Sequence, residues 1–147
     1  MRLKFQTVFF LMITLSLISC DNSHFSKTPK SQFAGVWELK GRSLFQGIQV
    51  EIEVDKSGKV SSTVVKLNDN KYVQLFLSEG DEWVKSIKRS SNFEFVISEL
   101  KLAAPLFSLY GNSTTKEWNA VFKNKDCIGI SENKNPERSS IEYCRVK

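Results

Sequence analysis

Histidine is almost absent from this chain of 147 residues, since His24 is the only one. A Ser-His-Asp triad or a Cys-His pair needs an imidazole as its base, and a zinc site needs several His or Cys ligands that converge. The sequence also lacks a Gly-rich phosphate-binding loop. We therefore predict no catalytic residue, no metal ligand and no cofactor, and we expect a protein that is not an enzyme.

Carboxylates are the remaining candidates for catalysis or for calcium binding. Glu79, Asp81 and Glu82 surround Gly80 in the run "SEGDEW". The same composition is typical of a solvated hairpin turn, and we interpret the run as such a turn.

The apolar run near the amino terminus is too short to cross a bilayer as a helix. Val8–Ile18 contains eleven residues, which rise about 16 Å as a helix, whereas the hydrocarbon core of a bilayer is ~30 Å thick. Arg2 and Lys4 precede the run, and small residues follow it. This pattern is typical of a secretory signal peptide, which we assign to residues 1–19. The alternative is a buried amino-terminal helix.

A cysteine stands at the end of that run, and Leu17-Ile18-Ser19-Cys20 resembles the lipobox of bacterial lipoproteins. The resemblance implies diacylglyceryl transfer to the sulfur of Cys20, cleavage before Cys20 and acylation of the new amino terminus. Two or more acyl chains anchor a protein stably. We therefore expect a lipid-anchored protein of the cell membrane that faces the periplasm or the cell exterior. Asp21 favours the inner over the outer membrane, by the rule for enteric-type bacteria.

A polar segment separates this anchor from the rest of the chain. Residues 20–32 hold one proline and read as a flexible tether, whose root-mean-square reach is roughly 20 Å. Residues 33–147 then form one domain. Arg2 and Lys4 leave with the signal peptide, so the formal charge falls from +5 to +3. This charge is too small to indicate a nucleic-acid partner.

Cysteine is scarce, with three residues in the chain. When Cys20 is set aside, Cys127 and Cys144 remain, and outside the cytoplasm an even remainder usually pairs. We predict a disulfide between them; the alternative is two free thiols.

The spacing of these two cysteines fits an antiparallel hairpin. If they face each other, Ile128 faces Tyr143 and Ile130 faces Ile141. The turn then falls in the polar run of residues 132–139, so apolar pairing and turn composition agree.

Alternation of apolar and polar residues dominates the chain after Phe33. Such alternation is typical of strands with one buried face. The segment Leu100–Gly111 is ambiguous, because Pro105 must end either a helical turn or an edge strand. We predict an all-β fold, a small antiparallel up-and-down barrel of about eight strands, with a β-sandwich as the alternative. The alternating runs are residues 36–40, 49–54, 60–64, 72–77, 82–88, 93–98, 118–123, 127–131 and 140–146.

The first of these runs carries a motif of known barrels. Gly35 and Trp37, in "FAGVWELKG", resemble the Gly-x-Trp opening of lipocalins and related small barrels, the calycins. The resemblance implies that Trp37 closes the barrel floor against a basic residue of a late strand. Arg145, on the last predicted strand, is placed for that role.

Two functions fit these observations. The first is a membrane-anchored, non-catalytic module that binds a small apolar or amphiphilic ligand inside the barrel, with residues 100–110 at its mouth. The alternative is a protein-interaction module, such as an envelope assembly partner or an inhibitor of a hydrolase or protease. A cavity of several hundred Å³ favours the first function, whereas a filled core with an exposed apolar patch favours the second.

Overall fold

Eight antiparallel strands form a single sheet that curls into a nearly closed barrel. The computed structural model describes residues 27–147; the predicted signal peptide, Cys20 and the first part of the tether lie outside the described residues. The strand order is β3-β2-β1-β8-β7-β6-β5-β4, so the first and last strands pair. This confirms the predicted all-β antiparallel barrel. The strands are β1 (Gly35–Lys40), β2 (Gln49–Val54), β3 (Val60–Lys66), β4 (Val84–Arg89), β5 (Glu94–Leu100), β6 (Thr115–Phe122), β7 (Cys127–Ser131) and β8 (Glu142–Arg145).

The barrel is incompletely closed along one seam, between β3 and β4. The N–H of Gly80, just before β4, donates to the carbonyl of Val64 at 2.8 Å. Further along, the buried hydroxyl of Ser62 accepts from the N–H groups of Trp83 and Val84, at 3.2 and 2.6 Å. A serine side chain thus satisfies buried backbone groups where a strand ladder would otherwise do so.

The carboxy-terminal hairpin has the predicted register. Cys127 lies opposite Cys144, and Ile128 lies opposite Tyr143. The predicted disulfide between the two cysteines is confirmed. The turn holds a short 3₁₀ helix that begins at Pro136, a residue whose fixed φ suits the first position of a helical turn.

One predicted strand, the run 72–77, is wrong, because most of it forms the helix α1 (Lys71–Phe76). The side chain of Asn70 accepts from the N–H groups of Tyr72 and Val73, at 3.0 and 3.3 Å. These bonds satisfy two of the backbone donors that a helix leaves free at its start. Val73 is the buried residue of this helix, so the apparent alternation of the run did not reflect a buried sheet face.

The ambiguous segment contains a second helix, α2 (Ala104–Leu109). Pro105 lies in its first turn, where a missing N–H costs nothing. The expectation that Pro105 ends an element was therefore wrong. Ala103 turns the chain out of β5 with a positive φ of 58°, a conformation that few non-glycine residues adopt.

Connections at the two ends of the barrel differ in length. At one end, here called the closed end, each strand pair turns within four or five residues: 55–59, 90–93 and 123–126. At the other, the open end, the connections run from eight to seventeen residues: 41–48, 67–83, 101–114 and 132–141. Both α1 and α2 lie at the open end. Within residues 27–147, no helix is long and apolar enough to cross a membrane.

A short 3₁₀ helix, Lys30–Phe33, covers the closed end. The ring of Phe33 is buried against those of Phe95 and Phe122, with centroids 4.9 and 4.7 Å away. The indole N–H of Trp37 donates to the carbonyl of Phe33 at 2.7 Å. Aromatic packing and one buried hydrogen bond therefore plug this end of the barrel.

Large side chains fill the barrel interior. Most inward positions of the strands are apolar, so closing the sheet brings them together in one core. The largest fully buried side chains are Trp37, Trp83, Tyr143, Phe33, Phe95, Leu39, Ile48, Ile52, Ile97, Ile128, Ile130 and Glu99.

The disulfide should stabilise the fold measurably. Cys127 and Cys144 are 17 residues apart, and closing a loop of this size restricts the unfolded chain by about 3 kcal/mol. We expect the double substitution Cys127→Ala/Cys144→Ala to lower the free energy of unfolding by about that amount in urea titrations. Dithiothreitol should bring the wild-type protein to the same value and leave the variant unchanged. Equal stability of the two oxidised proteins would contradict this.

Candidate binding site at the open end

Two of the residues predicted from the Gly-x-Trp resemblance meet at the closed end. Trp37 of β1 lies opposite Arg145 of β8, and the guanidinium group lies over the indole, 4.2 Å from its centroid. Its Nη1 and Nη2 atoms donate to the carbonyls of Ala34 and Gln32, each at 2.9 Å. Arg145 thus ties the 3₁₀ helix to the last strand.

Gly35 completes this arrangement. It has a φ of 133°, which lies in a region that L side chains rarely adopt. A Cβ atom at this position would also collide with Nη1 of Arg145. Gly35, Trp37 and Arg145 are therefore together, and in this position they hold the plug of the barrel.

A carboxylate is buried inside the barrel towards its open end. Glu99 is 1% exposed and accepts from Nη1 of Arg42 at 2.6 Å. The hydroxyl of Tyr143 donates to the same carboxylate and accepts from Nε1 of Trp83 at 2.8 Å. Every member of this network has a partner, as buried polar groups require.

Aromatic rings surround the arginine of this network. The guanidinium carbon of Arg42 lies 4.5 Å from the ring centroid of Phe45 and 4.8 Å from that of Trp118. Cation–π attraction therefore adds to the ion pair with Glu99. Sequence reasoning missed this site, although Glu99 breaks the inward apolar series of β5 and could have been noticed there.

Tyr143 stays uncharged within this buried network. Burial, and next the adjacent Glu99 carboxylate, raise the pKa of Tyr143 well above its ordinary value. The phenol therefore stays protonated and keeps its hydrogen bond to the carboxylate.

Two cavities open at the open end, on either side of residues 100–102. The larger, here called the helix groove, has a volume of about 360 Å³ and lies between α1 and α2. The smaller, the side pocket, has a volume of about 240 Å³. Residues lining the helix groove include Phe76, Leu77, Asp81, Glu82, Trp83, Pro105 and Ser108; those lining the side pocket include Arg42, Phe45, Glu99, Phe107 and Lys116. Leu100, Lys101 and Leu102 line both.

Exposed apolar side chains are concentrated on the two helices that flank the groove. Within residues 27–147, seven of the eleven large exposed hydrophobic residues belong to α1, to α2 or to its C-cap: Tyr72, Leu75, Phe76, Leu106, Phe107, Leu109 and Tyr110. None of the residues of α2 is buried. Exposed apolar side chains grouped in this way are typical of interaction sites, and residues 100–110 lie at the open end of the barrel, where the sequence predicted them.

Asp81 and Glu82, the carboxylates singled out in the sequence, lie at the wall of the helix groove. A carboxylate oxygen of Asp81 accepts from the N–H of Ser78 at 2.7 Å, and Glu82 pairs with Lys85 at 3.1 Å. Both acids are exposed in a loop. Glu142 lies within 4.8 Å of both cysteine sulfurs, but the disulfide occupies those sulfurs, and a single carboxylate is a poor metal site.

Comparisons of the chain with models of protein families, with curated proteins and with solved structures found no match. Cys20 lies outside the described residues. The function is therefore inferred from the residues at the open end and from the course of the chain at the closed end.

The buried network gives a testable pH dependence. Tyr143→Phe removes a partner from Trp83 and from Glu99, so we expect the free energy of unfolding at pH 7 to fall by about 1–3 kcal/mol. The folded-state pKa of Tyr143 is raised above the unfolded value near 10. The stability that this shift contributes is complete below pH 10 and is lost as the pH rises further.

The difference in stability between wild type and variant should therefore shrink between pH 9 and 11 (a range set by the unfolded tyrosine pKa of about 10). Urea unfolding at each pH measures it. Tyr72→Phe, at an exposed position of α1, is the matched control and should show no such trend. A difference between wild type and Tyr143→Phe that does not change with pH would refute the linkage.

Proposed function

We propose that this protein is a lipid-anchored lipoprotein of the bacterial envelope and a non-catalytic module that binds a small apolar or amphiphilic ligand in the helix groove. The observation that supports this best is the groove of about 360 Å³ between two helices with exposed apolar side chains. Ligand pockets are typically concave, mostly apolar and about 300–1,000 Å³ in volume.

The proposed ligand site differs from the barrel interior that was expected from the sequence. Trp83 and Tyr143 are fully buried and hydrogen-bonded to each other within the barrel. Displacing Tyr143 would remove one of the two hydrogen-bond partners of the buried Glu99 carboxylate and leave only Arg42, and a buried charge that loses a partner is costly. A ligand is therefore better accommodated at the rim than inside the barrel.

The course of the tether supports an anchor on the opposite side from the groove. The N–H of Thr28 donates to the carbonyl of Asn92 at 3.0 Å, and Nζ of Lys30 lies 3.5 Å from the carbonyl of Gly58. Asn92 and Gly58 belong to closed-end turns. Eight residue steps separate Cys20 from Thr28, which span at most about 28 Å. A lipid on Cys20 would hold the closed end towards the membrane and leave the groove facing the aqueous compartment.

Titration with N-phenyl-1-naphthylamine, a neutral apolar fluorophore, tests the groove. The protein is the mature chain, residues 20–147, with Cys20→Ser in place of the lipidated cysteine. We expect saturable fluorescence enhancement. Ser108→Phe should weaken binding about tenfold, because an added ring in a filled site costs 1–3 kcal/mol, and Ser108 lines the groove.

The matched control is Thr63→Phe, at an exposed position of β3, which should bind as the wild type does. Circular dichroism checks that each variant is folded. The absence of saturable binding to the wild-type chain would eliminate this function.

A second candidate function, docking to another envelope protein, is favoured by two residues. Leu109 and Tyr110 are 79% and 81% exposed and are outside the lining of both cavities. A small-molecule ligand would therefore leave them in water. The exposed Tyr110 is well suited to a protein partner, since aromatic anchors carry much of the binding energy at interfaces, and Leu109 adds exposed apolar surface.

Affinity capture from envelope extracts of the native host tests this candidate. We expect a protein that is retained by the wild-type chain to be lost with Leu109→Ser/Tyr110→Ser. The control Val65→Ser/Phe93→Ser, at two other exposed hydrophobic positions, should retain it. Capture of the same proteins by all three chains would argue against docking at these residues.

A further inference from the structure

Lys101 lies between the two cavities of the open end. It lines both the helix groove and the side pocket, and it is half-buried. Its backbone N–H donates to the carbonyl of Thr114 at 2.8 Å, which fixes the chain at this point. Its Nζ atom lies 5.0 Å from the ring centroid of Phe107, within the range of a cation–π contact.

The other two cations of the side pocket have carboxylate partners. Arg42 pairs with Glu99 at 2.6 Å, and Lys116 pairs with Glu132 at 2.7 Å. In the part of the chain that the structure describes, Lys101 has no carboxylate within ion-pair distance. A half-buried cation without a counter-ion favours an anion nearby, because partial burial reduces screening by water.

The two cavities differ in the sign of their charge. Besides Lys101, the side pocket holds Arg42 and Lys116 against Glu99. Lys101 is the one cation among the residues lining the helix groove, whose wall also carries Asp81 and Glu82. An anionic group is therefore attracted to the side pocket and repelled by the acidic wall of the groove.

Apolar surface for a hydrocarbon chain lies on the other side of Lys101. Leu77 and Trp83 form the floor of the helix groove, and Leu102 and Pro105 belong to the segment that leads into α2. A chain that starts at Lys101 can therefore enter the groove without carrying charge past the acidic wall.

We propose that the ligand is a single-chain amphiphile with an anionic head group, which Lys101 binds at the mouth of the side pocket while the hydrocarbon tail occupies the helix groove. This inference rests on the proposed ligand-binding function. It adds the chemical class of the ligand, the residue that binds its head group and the orientation of the ligand in the site.

Displacement of N-phenyl-1-naphthylamine from the mature chain by three amphiphiles of equal chain length tests the inference. These are dodecanoate, monododecanoyl glycerol and dodecyltrimethylammonium, each used below its micelle-forming concentration. We expect dodecanoate to displace the probe at a concentration about tenfold lower than the other two, the effect of one additional charge-assisted hydrogen bond. High salt should reduce this preference.

Lys101→Gln should raise the concentration of dodecanoate that is needed to displace the probe to the value for the neutral amphiphile. The concentration of the neutral amphiphile that is needed should not change. Lys101→Arg should keep the preference. Lys88→Gln, which removes an equal charge from an exposed position of β4, is the matched control and should behave as the wild type does.

The outcomes separate this inference from the function on which it rests. Absence of probe binding to the wild type overturns both. If the probe binds but all three amphiphiles displace it equally well, the preference for an anionic head group is overturned and the ligand-binding function stands. A Lys101→Gln variant that weakens all three equally overturns the assignment to Lys101. If the chain binds phosphatidylglycerol vesicles but dodecanoate does not displace the probe, the proposal that the ligand is a single amphiphile molecule is overturned.

Discussion

Pairing of β1 with β8 is the interaction on which the rest of this structure depends. It joins the meander β1–β3 to the meander β4–β8 in one sheet that curls into the barrel, and it brings Arg145 over Trp37 to fasten the plug at the closed end. The disulfide joins β7 to β8 and so holds the strand that makes the closure. Because the sheet closes there, its two free edges meet between β3 and β4. The longest connection, residues 67–83, spans that seam and places α1 beside it, where the helix forms one wall of the groove.

The filled interior explains why the candidate site lies at the rim. A charge as deeply buried as that of Glu99 is tolerated only when it is paired and hydrogen-bonded, and Arg42 and Tyr143 meet both requirements. A buried ion pair is weak evidence for stability, since well-packed apolar residues often do as well. Its clearer effect here is to fix the position of Arg42. This residue belongs to an open-end loop and lines the side pocket. The buried network therefore also positions one of the charged side chains of the side pocket.

Patterns that depend on local geometry were readable in the sequence, and those that depend on tertiary context were not. The period of two predicted the strands, and the spacing of Cys127 and Cys144 predicted the register of the last hairpin. The prediction for the run 72–77 was wrong because Asn70, as an N-cap, outweighs the accidental alternation of its six residues. Pro105 starts a helix as readily as it ends a strand, and its sequence neighbours do not decide between them. The pairing of Glu99 with Arg42 joins residues 57 positions apart, a separation that periodicity does not report.

In the proposed function, the two ends of the barrel would have different tasks: the closed end would be anchored to the membrane, and the open end would bind the ligand. The chain enters at the closed end, and a short link to Cys20 would not let the open end turn to the membrane surface without a strain on the tether. An amphiphile in the helix groove would then have to arrive as a monomer from the aqueous compartment, or be handed over by another protein. Monomeric amphiphiles are scarce beside membranes that absorb them, because each buried methylene favours the bilayer by about 0.8 kcal/mol. A transfer partner that docks on Leu109 and Tyr110, next to the groove, would remove that limitation. The two candidate functions are in this sense complementary, since the surface that favours a protein partner adjoins the cavity that favours a ligand.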